Sequence, residues 1–230
     1  MKELLTTSVF FGVTVSLLAY LLGLWLKKKF RLTIFNPLLI AIVVVMLAVT
    51  ALKVDYNTYY EGAKYLSYLL TPATVCLAIP LYEELQQLKR HWKAVLAGIL
   101  SGVLTSLGCV LGMSVLFSLT HETYVTLLPK SITTAIGIGV SEELGGVVSI
   151  TAAVILITGV LGNMIGEGVC RLFRIKEPVA KGVAMGTSAH AIGTARAMEM
   201  GEIEGAMSSL SIAVAGILTV AGASVFSLFW

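Results

Sequence analysis

The stretch AVLAGILSGVLTSLGCVLGMSVLFSLT, residues 94–120, decides the fold class, because its 27 residues include no charged side chain. A helix needs about 20 apolar residues to cross the hydrocarbon core of a bilayer, and soluble proteins rarely contain such runs. Residues 4–26 form a second uncharged run, which ends at a cluster of three lysines without the cleavage pattern of a signal peptide. Both stretches are therefore predicted to be membrane helices.

The rest of the chain has the same character. Hydrophobic residues make up 57% of it and charged residues 13%, about half the charged fraction of a soluble domain. Four more apolar runs follow the same pattern, at 32–52, 65–82, 147–170 and 207–230. The prediction is an all-α integral membrane protein, a polytopic helix bundle that forms a single membrane domain over 1–230. Its amino-terminal part, 1–120, has four helices, and its carboxy-terminal part is 121–230.

The basic residues predict the orientation. They lie in short clusters after the first, third and fifth apolar runs, at 27–31, 89–93 and 171–181. Cytoplasmic connections carry the excess of Lys and Arg, so the amino terminus is expected outside the cell. Because the clusters lie between apolar runs, the net charge of +3 indicates no nucleic-acid partner.

Two stretches, 125–146 and 182–200, differ from the apolar runs because they combine Gly, Ser and Thr with ionisable residues. With the orientation above, the first must enter and leave on the outer side and the second on the inner side. This predicts six full spans plus two broken, re-entrant segments. An eight-crossing arrangement is the alternative, but it places the basic residues of 171–181 outside.

A weak internal repeat accompanies these two stretches. Ala135-Ile136-Gly137 recurs as Ala191-Ile192-Gly193, and Glu143 and Gly145 match Glu199 and Gly201 at the same offset of 56 residues. Inverted repeats with broken helices that meet near the midplane are a recurring transporter design. The sequence is thus consistent with an inverted repeat.

Broken helices in a membrane are tolerated where protein covers them or where they line a wet cavity. The glycines that would permit the breaks are Gly137, Gly139, Gly145, Gly146, Gly186 and Gly193. The polar side chains around them are the candidate substrate site, and they are Lys130, Ser131, Thr133, Thr134, Thr187, Ser188, His190, Thr194 and Arg196.

Cationic side chains, hydroxyl groups and the amino-terminal ends of half-helices favour an anionic ligand. His190 could carry a proton with that anion. The sole aspartate is Asp55 in a connection, which argues against a sodium site or an intramembrane aspartyl protease. No metal ligand set and no cofactor motif is found.

Each candidate also has a structural interpretation. In that interpretation, Lys130 extends to the membrane interface, and Arg196 is a structural partner of Glu199 or Glu143. His190 then hydrogen-bonds a carbonyl freed by the helix break. The four-residue spacings Gly98-Gly102-Ser106 and Gly108-Gly112 are typical of close helix packing.

Enzyme motifs fail on inspection. Gly137-Ile138-Gly139 lacks the third glycine of a dinucleotide fingerprint, where Glu142 stands instead. Gly186-Thr187-Ser188 lacks the second glycine of a nucleophile elbow, and His190 is too near Ser188 to act as its base. The prediction is a protein that is not an enzyme.

The polar segments resemble those of the LrgB/CidB family of antiholin-like membrane proteins. The matching segments are Asn36–Leu39, Leu77–Leu85, Leu128–Thr134, Gly186–Arg196 and Glu204–Leu210. They extend over nearly the whole chain. Ala135 departs from the pattern, because relatives often have proline after the two threonines, and the shape of the first break is therefore less defined.

The resemblance implies a multi-pass protein of the bacterial cell membrane that modulates murein hydrolase activity, autolysis and programmed cell death. It also implies a small holin-like partner of the LrgA/CidA type. A plastid relative transports glycolate and glycerate, and bacterial relatives are linked to pyruvate. The resemblance leaves room for a homo-oligomer.

Two functional hypotheses follow. In the first, the protein is a secondary carrier of small monocarboxylates, with the lipid bilayer and a small organic anion as its partners. In the second, it is a holin-type pore or regulatory subunit without carrier activity. A carrier saturates and exchanges substrate, whereas a pore leaks without saturation.

Overall fold

The structure is a computed structural model that describes residues 10–30, 35–76 and 78–230. All regular structure in these ranges is helical, which confirms the all-α fold. Four of the described helices are long and apolar enough to cross a membrane, namely Phe11–Phe30, Leu85–Phe117, Val148–Leu172 and Glu202–Phe229. Membrane-spanning helices are therefore confirmed, while the count of six spans stays a prediction.

The chain forms two compact units, residues 1–76 and 77–230. In the first unit, α1 (Phe11–Phe30) packs against α2 (Pro37–Leu52) and α3 (Tyr56–Ser67), and α4 (Leu70–Cys76) follows. The side chain of Asn36 caps α2 by accepting hydrogen bonds from the backbone of Leu38 and Leu39. Residues 4–9 of the first predicted span and Arg31 lie outside the described residues.

The apolar run 65–82 was expected to form one span, but no single helix covers its described residues. They belong instead to the end of α3, to α4 and to α5 (Ala78–Glu83), which begins the second unit. Pro72 and Pro80 each lie in the first turn of a short helix. Proline lacks the backbone N–H that a helix interior requires, so it favours a new helix start over continuation.

Three long helices frame the second unit: α6 (Leu85–Phe117), α9 (Val148–Leu172) and α11 (Glu202–Phe226). A short 3-10 turn, Ser227–Phe229, continues α11. One face of α6 is buried in the core of the unit. Its residues recur at helical spacing, as Val95, Ile99, Val103, Leu107 and Val110.

Residues 121–146 form hairpin A, which consists of α7 (His121–Leu127), a turn and α8 (Thr134–Glu143). The hydroxyl of Thr151 in α9 donates to the carbonyl of Thr126 on the first arm at 2.9 Å, and it lies 2.6 Å from the hydroxyl of Ser141 on the second. Since both arms reach the same residue of α9, the second arm runs back beside the first. Gly145, with a φ of 79°, makes the turn into α9.

Residues 178–200 form hairpin B. Its helix, α10 (Pro178–Met200), is interrupted at Ala189 and at His190, whose φ is 41°. On the first arm, Gly182 and Gly186 pack against the backbone of Glu204 and Ser208 in α11. On the second arm, Thr194 and Met198 contact Ser208 and Gly205. The second arm therefore returns along the stretch of α11 that the first arm followed.

The two hairpins enter the second unit from opposite ends and meet at the middle of α9. Hairpin A contacts α9 at Thr151 and, through Gly137, at Ile155. The tip of hairpin B contacts it at Ile155 and Gly159, and its arms contact it further on, at residues 163–167. Segments 125–146 and 182–200 are thus both interrupted, and their tips lie close together.

The internal repeat in the sequence corresponds to the returning arms. Residues 135–137 lie in the returning arm of hairpin A, and residues 191–193 lie in that of hairpin B. Gly145 and Gly201 follow the two arms and lead into α9 and α11. An inverted repeat would place residues 135–137 and 191–193, and likewise Gly145 and Gly201, at equivalent positions in the two hairpins.

Candidate functional site

A cavity of about 850 Å³ follows one face of α6 from His91 to Cys109. These residues are 18 positions apart, so the cavity extends about 27 Å along the helix axis. The first arm of hairpin B forms the opposite wall, and the tip of hairpin A closes one end. The residues that α10 contributes are Val179, Ala180, Val183, Ala184, Thr187 and Ser188.

The hairpin tips contribute the cation of this cavity and part of its hydroxyl groups. The Nζ atom of Lys130 donates to the hydroxyl of Ser131 at 3.1 Å, and that hydroxyl lies 2.9 Å from the hydroxyl of Ser106 on α6. One turn away on α6, Gly102 packs against the side chain of Thr187. The two hairpins therefore bring Lys130, Ser131 and Thr187 to one face of α6.

The hydroxyl of Thr187 has no hydrogen-bond partner in the part of the chain that the structure describes, although the residue is only 6% exposed. An unsatisfied buried hydroxyl costs about 1–3 kcal/mol. By contrast, the hydroxyl of Ser188 donates to the carbonyl of Ala184 at 2.7 Å. Thr187 is thus a buried hydroxyl at the cavity wall whose hydrogen-bonding capacity the described residues leave unused.

Two helix amino termini lie near the hairpin tips. Helix α8 begins at Thr134, and the side chain of its N-cap residue, Thr133, makes no capping hydrogen bond. The returning arm of hairpin B begins after His190. A helix amino terminus carries a partial positive charge and exposes backbone N–H groups, which favours an anion. Thr133 and Thr134 do not line the cavity themselves.

His190 and Thr194 lie behind the cavity, in the packed interior. The Nε2 atom of His190 is 3.0 Å from the carbonyl oxygen of Ile155, so it carries the proton of this hydrogen bond. The hydroxyl of Thr194 donates to the carbonyl of His190 at 3.0 Å and lies 2.7 Å from the hydroxyl of Ser208. These contacts match the structural interpretation of His190, although the carbonyl belongs to α9 and not to the broken helix.

Arg196 lies at the opposite end of hairpin B, in a second cavity of about 520 Å³. It forms ion pairs with Glu199 and with Glu167 of α9. Lys181 and Glu204, 3.8 Å apart, line the same cavity. Arg196 is therefore separated from Lys130, and the nine candidate residues do not form one cluster.

The glycines proposed as break points have different surroundings. In hairpin B the helical conformation is lost at Ala189 and His190, while Gly186 and Gly193 pack against neighbouring backbone. In hairpin A, Gly137 and Gly139 lie inside α8, and Gly146 packs against Thr126 and Ser141. Gly145 alone among the six has a positive φ. Most of these glycines thus allow neighbouring atoms to approach the backbone closely.

The packing glycines of α6 fall into two groups. At Gly98 and Gly102 an added Cβ atom would contact Val183 and Thr187, which confirms this part of the packing face. At Gly108 and Gly112 an added Cβ atom would meet nothing within 4 Å among the described residues. Among these four glycines, only Gly98 and Gly102, which face hairpin B, are closely packed against described residues.

The face of α9 that holds hairpin B was not among the residues predicted from the sequence. The amide of Asn163 donates to the carbonyl of Ile192 at 2.7 Å, and Gly159, Gly162 and Gly166 leave room for the tip and arms of the hairpin. Their spacing of three or four residues, together with Glu167 in an apolar helix, was the available signal.

The fold and the site define a class of protein: a helical membrane protein in which two interrupted hairpins meet at a cavity beside α6. Comparison with known families gives a more specific answer. The chain matches the LrgB-like family over residues 16–229, and it belongs to that family.

Two relatives show the extent of the match. The chain is 36% identical over 216 residues to proteins called antiholin-like protein LrgB from Bacillus mycoides (strain KBAB4) and from Bacillus cereus (strain B4264). In both cases the match covers 94% of this chain and 94% of the relative. No solved structure matches the chain.

Proposed function

We propose that the protein is a secondary carrier of small monocarboxylates in the bacterial cell membrane, with glycolate, glycerate and pyruvate as its candidate substrates. One observation carries this proposal: the two opposed hairpins bring Lys130, Ser131 and Thr187 to one cavity beside α6. Opposed broken helices that meet at a binding site are a recurring transporter design.

In the proposed membrane arrangement, the amino terminus is outside and the basic clusters at 27–29, 89–93 and 171–181 are cytoplasmic. Hairpin A is then re-entrant from the outer side and hairpin B from the inner side. The end of the cavity at His91 faces the cytoplasm, and the end at Lys130 lies near the middle of the bilayer. The cavity is a one-sided access path, as alternating access requires.

The carboxylate of the substrate would bind Lys130, and the positive charge of the lysine would compensate the negative charge of the carboxylate. The carboxylate would also accept hydrogen bonds from Ser131 and Thr187. The position of Ser188 on the cavity wall allows its hydroxyl to contact the substrate. Thr133 and Thr134 would act through the helix amino terminus that they begin. His190 and Thr194 would hold the tip of hairpin B in place, and Arg196 would anchor its returning arm.

Proton coupling through His190 remains part of the proposal. Its Nε2 atom bonds a backbone carbonyl, so the proton would have to enter and leave at Nδ1. The relatives are named antiholin-like. We propose a holin-like partner of the LrgA/CidA type, and an effect on murein hydrolase activity and programmed cell death through the flux of the anion.

The test is uptake of labelled glycolate and pyruvate by proteoliposomes under an imposed proton gradient. Saturable uptake above that of empty vesicles is expected, with exchange against unlabelled substrate. The Lys130→Gln variant should lose most uptake, and Lys130→Arg should keep part of it. Lys89→Gln is the matched control, because Lys89 is exposed and does not line the cavity.

Three results would count against the carrier. Uptake that rises linearly with concentration and shows no exchange would indicate a pore. Absence of uptake with and without the holin-like partner would favour a purely regulatory subunit. Equal losses in Lys130→Gln and Lys89→Gln would remove the cavity from the mechanism.

A further inference from the structure

The cavity beside α6 is chemically divided along its length, and this division bears on the substrate. Its cation, Lys130, and its hydroxyl groups, from Ser101, Thr105, Ser106, Ser131, Thr187 and Ser188, lie in the half next to the hairpin tips. Between that end and the mouth at His91, the described lining is dominated by small apolar side chains, from Ala94, Val95, Gly98, Val179, Ala180, Val183 and Ala184.

The volume of the cavity exceeds what a two- or three-carbon acid needs. At about 850 Å³, it falls within the range of about 300–1,000 Å³ that is typical of pockets for drug-sized ligands. A small acid held at Lys130 would leave the apolar part occupied by water, with few polar groups to bond it. An apolar chain would fill that part and displace this water.

The charges at the two ends differ as well. The amino group of Lys130 lies at the hairpin tips, whereas His91 and Glu177 lie at the mouth. A second carboxylate on the substrate would therefore lie among apolar side chains or approach Glu177. Burying an unpaired charge is strongly unfavourable, so the cavity disfavours dicarboxylates.

We infer that the cavity selects monocarboxylates that carry an aliphatic chain, with the carboxylate at Lys130 and Thr187 and the chain along Ala184 and Ala180. This inference rests on the proposed carrier function and specifies its substrate class. Aliphatic 2-oxo and 2-hydroxy acids of four to six carbons fit the description, since their second oxygen can accept a hydrogen bond from a cavity hydroxyl.

The arm of hairpin B offers a scale for measuring chain length. Ser188, Ala184 and Ala180 are spaced by four residues on one side of α10, so successive residues are about 6 Å apart along the axis. A leucine at 184 would block the chain close to the carboxylate. A leucine at 180 would block only a chain that extends further.

The experiment measures how unlabelled acids compete with labelled pyruvate for uptake into proteoliposomes. In a series from propanoate to decanoate and from pyruvate to 4-methyl-2-oxopentanoate, the inhibition constant should fall about three- to fourfold per buried methylene, which corresponds to about 0.8 kcal/mol. Malate and succinate should compete at least tenfold more weakly than the monocarboxylate of equal length.

Two variants and one control test where the aliphatic chain of the ligand lies in the cavity. Relative to pyruvate in the same variant, Ala184→Leu should abolish the gain from chain length, and Ala180→Leu should reduce the gain for the longest acids alone. Ala97→Leu should change nothing, since Ala97 is exposed on α6 and does not line the cavity. If Ala184→Leu fails to fold, the series on the unmodified protein and on Ala180→Leu decides.

The inference is overturned if pyruvate uptake is saturable and inhibition is independent of chain length, or if succinate competes as well as butanoate. Equal effects of Ala97→Leu and Ala180→Leu would also overturn it. These outcomes differ from failure of the carrier function itself, in which no acid shows saturable uptake.

Discussion

The imidazole ring of His190 packs directly on Gly159. The Cε1 and Nε2 atoms of the ring lie 2.6 and 2.7 Å from the position that a Cβ atom on Gly159 would occupy. The Nε2 atom also hydrogen-bonds the carbonyl of Ile155, one turn earlier on α9. The tip of hairpin B is thus fixed to the middle of α9 by a contact that requires glycine at 159.

Replacing Gly159 by alanine should therefore destabilise the protein. The new methyl group would displace the ring of His190, and overpacking of this kind costs about 1–3 kcal/mol. Gly168→Ala on the same helix is the control, because a Cβ atom there would meet nothing within 4 Å and alanine favours the helix. Thermal unfolding in detergent should show a lower melting temperature for Gly159→Ala alone. Equal melting temperatures for the two variants would contradict the packing contact.

The backbone of His190 gives a second prediction, in which His190→Gly is more stable than His190→Ala. Both variants lose the ring and its hydrogen bond, so the comparison isolates the backbone. At a φ of 41° an alanine is strained by about 1–3 kcal/mol. Glycine avoids this strain but loses about 0.5–1 kcal/mol through the entropy of its unfolded chain. Chemical denaturation measures the difference, and a more stable alanine variant would rule out the interrupted conformation.

Thr187 and Thr194 lie on the two arms of hairpin B. Valine variants at these two positions distinguish an effect on substrate binding from an effect on protein stability. Thr187→Val removes a hydroxyl that has no partner among the described residues, so stability should hold or rise while the Michaelis constant for the carboxylate increases. Thr194→Val removes hydrogen bonds to His190 and Ser208 and should cost about 1–3 kcal/mol. Parallel melting and uptake curves check both. A destabilised Thr187→Val variant with normal uptake would place the hydroxyl in the packing instead.

The two interrupted segments could be predicted from the sequence, because glycine and ionisable residues inside an apolar run are recognised from residue type alone. The orientation of the basic clusters then required both segments to return to the side from which they came. Thr126 and Ser141 contact Thr151 from the two arms of hairpin A, so these arms lie side by side, while their re-entry from one side of the membrane stays a prediction.

The sequence predicted the composition of the site less well, because nearness along the chain does not decide which way a side chain points. Thr187 and His190 are three residues apart, yet the interruption at Ala189 turns one toward the cavity and the other toward α9. Similarly, the ion pair of Arg196 with Glu199 could be predicted from helical spacing. The ion pair with Glu167 could not, because Glu167 is distant in the sequence and only the fold brings the two residues together. Local spacing is readable in a sequence, and long-range contacts in this chain were not.

The ion pair of Arg196 with Glu167 should contribute little to stability. Both side chains are partly exposed, and exposed pairs are worth about 0.2–1 kcal/mol. A double-mutant cycle with Arg196→Gln and Glu167→Gln should give a coupling energy in that range, and the coupling should decrease at high salt. Hydrogen exchange of residues 196–201 should accelerate in Arg196→Gln if the pair anchors the returning arm. Coupling of zero with unchanged exchange would remove that role.

The arrangement of the hairpins in the membrane can be tested with four matched Glu→Cys variants in a background where Cys76, Cys109 and Cys170 are replaced by alanine. Glu177 and Glu202 flank hairpin B, and Glu122 and Glu143 lie at the two ends of hairpin A; all four are exposed. A membrane-impermeant maleimide should label the cysteines at 177 and 202 only from the cytoplasmic side.

The same reagent should label the cysteines at 122 and 143 only from the outer side. Both arms of each hairpin contact the same stretch of a neighbouring helix, and we therefore propose that the two ends of a hairpin lie at one face of the membrane. Right-side-out and inside-out vesicles distinguish the faces, and labelling after detergent lysis shows that each cysteine is reactive. In an eight-crossing protein, 177 and 202 would be labelled from opposite sides, and the cavity would then lack the re-entrant tips on which an anion site depends.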